Sequence, residues 1–466
     1  LSASESANTP PVKSPFSIRN VRLFIAFRVF FNSRFYYPVF TILFLDFGLT
    51  LHQFALLNAA WAAAIVLLEV PSGALADTIG RRKLLVITGI LMVIEIALLC
   101  FVPLGNASLL FAVFIVNRIL SGAAEAAASG ADEAIAYDSL KKEGDARDWP
   151  RVIETQMRMQ SIAYIGAMSL GAAVYDPALM QRLVNLLGLG ANLTQDITLR
   201  FPLYLTFIMA IMTLLTTLRL EEDYSPPESE CKTEDNYSPT IWQAFKLTLQ
   251  AGGWIIKTPF ALVIILAGLM FDNCIRMVVT LGSQYYRLID LPEASFGLIG
   301  SALAVLGLII PRLANKMVNR HSPAYNLGVM AAVTILGLIG MTYFFPIIGL
   351  LPVALLVVVM YMGRFFQSHY LNRITASHQR ATVLSFKGLS FNLAYGLIGL
   401  LYAILLATLR PRIAASQPGL EHTALENLVF IKSIGWFPWY FLFTMAVLLV
   451  IARRQLKNTD VHKRTG

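Results

Sequence analysis

Residues 73–83 read GALADTIGRRK, two glycines, one acid and three bases set between two long apolar runs. The runs, 53–76 and 83–104, are each long enough to cross a bilayer, which takes about 20 apolar residues. The segment is therefore a tight polar turn joining two membrane spans. Gly80 supplies the backbone freedom that such a turn needs. Gly73 lets a neighbouring helix approach closely. Asp77 can sit at a helix N-terminus, where negative charge is favourable. Arg81 can pair with an acid of a neighbouring helix, and Arg81, Arg82 and Lys83 together mark a cytoplasmic loop.

Outward from this turn the pattern repeats. Apolar spans fall near 20–45, 53–76, 83–104, 107–137, 152–175, 200–219, 259–285, 293–315, 324–345, 347–371, 380–408 and 434–452. Each must be a helix, because lipid offers backbone N–H and C=O groups no other partner. Of the 466 residues 56% are hydrophobic and 14% charged, against about 25% charged in a soluble domain. The net charge of +9 does not point to nucleic acid, since the bases cluster between apolar runs and no nucleic-acid-binding signature occurs. Alternate loops carry them: Lys141 and Lys142, then Lys232, then Arg312, Lys316 and Arg320, then Arg373, then Arg453 and Arg454. The loops at 49–55, 103–108 and 345–348 have none. Both termini are thus expected in the cytoplasm of a multi-pass protein of the plasma (inner) membrane. Arg410, Arg412 and Lys432 run against this rule.

The expected organisation is a polar N-terminus (1–19) without a cleavable signal, a six-helix bundle (20–220), a cytoplasmic linker (221–257), a second six-helix bundle (258–452) and a cytoplasmic tail (453–466). The linker begins acidic and Ser/Pro-rich. It continues at Ile241–Lys257 as an amphipathic surface helix. Asp176–Thr198 is expected to form a second surface helix, and carries one of two glycosylation sequons, at Asn106 and Asn192.

With Gly73, Asp77, Gly80, Arg81 and Arg82 in place, the loop resembles the signature loop of the major facilitator superfamily. Arg118-Ile-Leu-Ser-Gly122 in span four resembles that superfamily's RxxxG motif. Residues 131–140, ADEAIAYDSL, are similar to a variant in poorly characterised bacterial members. Arg364 in span ten echoes Arg118, and residues 312–320 form a degenerate copy of the first loop that keeps the final Arg but lacks the Asp and both glycines. The resemblance implies an all-α fold of twelve transmembrane helices in two pseudo-symmetric bundles, with spans one, four, seven and ten lining a central cavity.

An ionisable group inside a span costs several kcal/mol unless it faces protein or water. Such groups are therefore the candidate functional residues. Arg118, Gly122, Glu125, Ser129 and Asp132 advance by four and three along one face of span four. Asp132 or Asp138 is the expected partner of Arg81 in a cytoplasmic gate. Asp272 and Arg276 lie four apart and share a face. The candidate substrate-cavity residues are Arg28, Asn32, Arg34, Tyr36, Arg118, Arg276, Arg364 and Gln367. Burial disfavours a charged carboxylate, which makes Glu125, Asp272 and Glu95 the candidates for proton coupling. The excess of arginine on the four lining spans favours an anionic or zwitterionic solute.

No P-loop, HExxH, GxSxG or ligand-spaced His/Cys cluster occurs, so the expectation is neither an enzyme nor a holder of metal or cofactor. The expected partners are a small-molecule substrate, protons and the lipid bilayer, with no nucleic acid and a monomeric chain. The expected function is secondary transport by alternating access, with a drug/proton antiporter or a non-transporting receptor of the same fold as alternatives.

Overall fold

The computed structural model describes residues 14–222, 246, 252–374 and 380–464. Among the described residues the chain is helical and has no β-strand. The first half comprises α1 (Arg19–Asn32), α2 (Phe40–Asp46), α3 (Leu51–Ile79), α4 (Arg81–Phe101), α5 (Ala107–Ala128), α6 (Ala131–Glu143), α7 (Trp149–Tyr175), α8 (Pro177–Leu186), α9 (Gln195–Thr198) and α10 (Phe201–Leu218). The second comprises α11 (Pro259–Thr280), α12 (Gly282–Leu288), α13 (Phe296–Arg320), α14 (Pro323–Met341), α15 (Leu350–Ile374), α16 (Arg380–Ser416), α17 (His422–Ile434) and α18 (Phe437–Arg464).

Ten helices among the described residues are long and apolar enough to cross a membrane, or up to 11 if α7 and α8, bent by 81°, count as one span. The remaining span is the first, and it is broken. Its first helix, α1, ends at Asn32, and helix resumes as α2 at Phe40. Residues 33–36 leave the helix, and a 3-10 turn at Tyr37–Val39 follows, in which Pro38 sits at the start where its missing N–H costs nothing. The helix of the fourth span breaks too, at Gly130, whose φ of +78° is left-handed. Residues 107–143 still run on as one candidate span, with the left-handed Gly130 interrupting the helical phase of the expected stripe between Ser129 and Asp132. Gly122 is not on that stripe's open side either. A Cβ there would meet Ala64 Cβ at 2.7 Å and the Trp61 carbonyl at 2.8 Å, so it is a close crossing of α5 on α3.

Large apolar side chains point outward along the bundle, among them Leu67, Leu308, Leu336, Trp439 and Phe443. Such a surface suits lipid, not water. Of the surface helix expected over Asp176–Thr198, only α8 and the short α9 are helical; α8 is started by Asp176, whose carboxylate accepts from the Ala178 and Leu179 N–H groups. In the linker, residues 252–257 are helical, while the acidic stretch and most of the expected amphipathic helix lie outside the described residues.

At one end of the bundle, here the Asp46 end, the halves meet tightly. A Cβ on Gly297 of α13 would lie 2.0 Å from the Met168 carbonyl of α7. Gly297→Val therefore forces two helices of different halves apart. A loss of about 1–3 kcal/mol is expected, seen as a lower melting temperature of the purified protein. An unchanged melt would mean that this crossing is slack.

Candidate functional site

At the opposite end, the Gly80 end, the signature turn has the backbone its sequence calls for. Gly80 has φ +96° and ends α3 as it starts α4. Arg81 forms an ion pair with Asp138 on α6, so Asp138 and not Asp132 is its partner. Arg82 donates to the Leu218 carbonyl at 3.2 Å, and its backbone N–H donates to Glu222 at 2.8 Å. Asp77 occupies the last turn of α3, and its side chain lies outside the described residues. Gly73 does not serve a close approach: a Cβ there would meet nothing within 4 Å.

Asp132 belongs to a different contact. It is 1% exposed on α6 and pairs with Arg28 of α1, which also reaches Glu133 at 2.9 Å. The pairing ties α1 of the broken first span to the first turn of α6. Beside it opens a cavity of about 490 Å³. Its wall takes Phe27, Arg28, Phe31 and Asn32 from α1, Trp61, Ile65 and Glu69 from α3, and Glu125 with the chain around Gly130 from α5 and α6. Glu133 adds a third acid, and Asn392 of α16 contributes the face of the second half. Asn32 is held by donating to the Arg28 carbonyl at 2.8 Å.

The expected arginine-rich cavity is not what the wall shows. Arg28 is its one arginine among the described residues, against Glu69, Glu125 and Glu133. The other arginines are occupied elsewhere for a simple reason: a buried guanidinium needs a counter-charge or an aromatic face. Arg34, 3% exposed, forms an ion pair with the fully buried Glu95 and reaches the Tyr36 hydroxyl at 3.4 Å. Tyr36 is buried as well. Arg276 pairs with Asp272 at 2.5 Å, donates to Asn392 at 3.2 Å and lies 4.8 Å from the Tyr395 ring centre. Arg118 lies 5.3 and 5.2 Å from the ring centres of Phe40 and Trp61 and donates to Asn58 at 3.3 Å. Arg364 is exposed and forms no ion pair among the described residues. Gln367 packs against the second-half helix α11: a Cβ on Gly268 would lie 1.7 Å from its amide nitrogen. It borders a separate, nearly filled gap of about 10 Å³.

The candidate proton carriers separate in the same way. Glu95 and Asp272 are tied in ion pairs. Glu125 faces the cavity and has no side-chain hydrogen bond or ion pair among the described residues. Glu69 stands with it on the wall, and its Oε2 is buried without a hydrogen-bond partner.

The Asp46 end carries a feature that the span-by-span reading passed over. Arg287 of α12 donates to both carboxylate oxygens of Asp46, at 2.8 and 2.7 Å, and pairs with Glu293 at 2.5 Å. The Tyr175 hydroxyl donates to Asp46 as well. Asp176 accepts from the Ala294 N–H at 3.1 Å. Thr41 donates to the Thr280 carbonyl at 2.7 Å, and Ser283 accepts from the Thr41 N–H at 3.0 Å. Glu426 accepts from the Leu51 N–H at 2.8 Å and pairs with Arg410 at 2.7 Å, which accounts for one of the bases that ran against the loop-charge rule. All these contacts except the Tyr175–Asp46, Arg287–Glu293 and Arg410–Glu426 pairings join the first half to the second. The cavity thus lies toward the Gly80 end, and a polar seam binds the halves at the other.

The comparisons agree with this architecture. The structure is similar to that of a bacterial homologue of the human lysosomal transporter Spinster, with a TM-score of 0.68 and 15% identity over 95% of this chain and 98% of that one. It is also similar to the nucleoside transporter NupG, with a TM-score of 0.63 and 14% identity over 92% and 100% of the two chains. A D-xylose-proton symporter matches with a TM-score of 0.58 and 14% identity over 91% and 97%. No curated protein sequence matches the chain. The family model described as Major Facilitator Superfamily matches residues 22–397. The signature turn, the paired bundles and a match over most of the chain place this multi-pass membrane protein in the major facilitator superfamily.

Proposed function

We propose that the chain is a secondary transporter that moves a small organic solute by alternating access, coupled to protons, with both termini in the cytoplasm. The observation that supports it most is the asymmetry of the interface between halves: a solute-sized cavity toward the Gly80 end and an ionic seam at the Asp46 end. Rocking the halves about this cavity would break the seam and close the Arg81 side. The arrangement is then that of a carrier open toward the cytoplasm. Among the three candidate proton carriers Glu125 is the best placed, because it alone faces the cavity without a cationic partner. The nucleoside and xylose carriers of the same fold make polar organic solutes a reasonable class to screen.

The test is flux in proteoliposomes under an imposed pH gradient, with labelled uridine, xylose, organic ammonium ions and organic carboxylates. Wild-type protein is expected to accumulate at least one solute uphill. Glu125→Gln is expected to lower accumulation by about tenfold or more while leaving downhill exchange. Full accumulation by the variant would remove Glu125 from coupling, and no flux of any solute would count against transport itself.

A further inference from the structure

We propose that the cavity binds an organic cation, an ammonium-type head on an aromatic or apolar body, with the head between Glu69 and Glu125. This rests on the reading of the cavity as the solute site. The arrangement of charge carries it. Among the described residues four charged side chains stand on the wall, and Arg28 is the only base. Its guanidinium is already shared by Asp132 and Glu133. Glu69 and Glu125 are left without an ion-pair partner among the described residues, and one oxygen of Glu69 is buried and unbonded. Glu125 lies open to the cavity, while Glu69 is half-buried, and an enclosed carboxylate oxygen with neither hydrogen bond nor counter-charge is costly unless neutralised. The nearby arginines cannot do it: Arg34 is committed to Glu95, and Arg118 to Asn58 and two aromatic faces. A cation from solution completes the set.

The rest of the wall fits the body of such a ligand. Phe27, Phe31, Trp61 and Ile65 present apolar and aromatic surface beside the two acids. Aromatic faces attract a cation and cover an apolar group at the same time. The cavity volume of about 490 Å³ suits a small organic molecule. A bare metal ion does not fit the chemistry, since no group of three or more His, Cys, Asp or Glu among the described residues is arranged to hold one. An anion would need free bases on the wall. Arg364 and Lys387 are not among the described wall residues, and Lys387 rests on the Phe391 ring at 5.4 Å.

The experiment is equilibrium binding to the purified full chain in detergent, with benzyltrimethylammonium as a permanent cation and benzenesulfonate as an anion of similar size. Saturable binding of the ammonium ion and none of the sulfonate are expected. Glu69→Gln and Glu125→Gln are each expected to weaken ammonium binding by about tenfold or more. Glu154→Gln, on the exposed face of α7, removes the same charge outside the site and is expected to change nothing. If one of the site variants fails to fold, judged by its elution profile, the other still gives the answer. Sulfonate binding as tight as ammonium binding, ammonium binding indifferent to both site variants, or binding of neither ion overturns the proposal. Binding and flux are separate readouts. A protein that binds ammonium but moves no solute keeps this site and loses the transport reading, and flux of another solute without ammonium binding does the reverse.

Discussion

Glu95→Gln is expected to be among the most destabilising single substitutions in the chain, at about 3–5 kcal/mol, because it leaves a buried guanidinium without its counter-charge. Glu95 and Arg34 are both almost wholly enclosed, and the Glu95 backbone carbonyl is also fixed by Asn117 at 2.8 Å. The pair ties the break in the first span to the middle of α4. Removing one member strands the other in a medium that solvates charge poorly. Removing both, as in Arg34→Met with Glu95→Leu, is expected to recover much of the loss, since a buried ion pair and well-packed apolar side chains are often close in stability. Unfolding of wild type, the single variant and the double variant in mixed micelles reads the cycle. A Glu95→Gln protein as stable as wild type would show that Arg34 reaches water.

The second large effect is expected at the Asp46 end. Arg287→Met removes the one base that Asp46 and Glu293 share. The two carboxylates then face each other across the seam between halves, and the attraction that closes it becomes a repulsion. Truncating one partner of a hydrogen-bonded charge pair at an interface costs about 2–5 kcal/mol. If most of that falls on the closed arrangement, its population relative to the opened one drops by roughly thirtyfold or more. Asp46→Asn keeps an acceptor for Arg287 and is expected to act in the same direction with a smaller effect.

The sequence read well where its signals are local. Gly80 in a turn between apolar runs, the Asp272–Arg276 spacing and the start of a surface helix after span five are short-range patterns, and the structure repeats them. Twelve spans were countable because hydropathy is a window property. The helix breaks after Asn32 and at Gly130 were not visible, since a helix continues through such residues if its neighbours hold it. What composition could not supply was pairing across the fold. The arginines on the cavity-lining spans suggested a positive interior. Arg34 finds its acid 61 positions away and Arg28 finds one 104 positions away, so the charge that faces the cavity is the remainder left by these pairings. That remainder is negative. Asp46 and Arg287 lie 241 positions apart and each falls just past the end of an apolar window. Hydropathy therefore assigned them to loops and gave them no partner.

The most direct test of two halves rocking about a central cavity is a pair of distances measured on the same protein by spin labelling. The three native cysteines are first replaced. One pair, Leu186→Cys with Ile348→Cys, spans the halves at the Asp46 end, and another, Lys141→Cys with His321→Cys, spans them at the Gly80 end; all four positions are exposed. On introducing Arg287→Met, the first distance is expected to lengthen and the second to shorten within the same population of molecules. Two distances that stay fixed, or that lengthen together, would contradict alternating access in this chain.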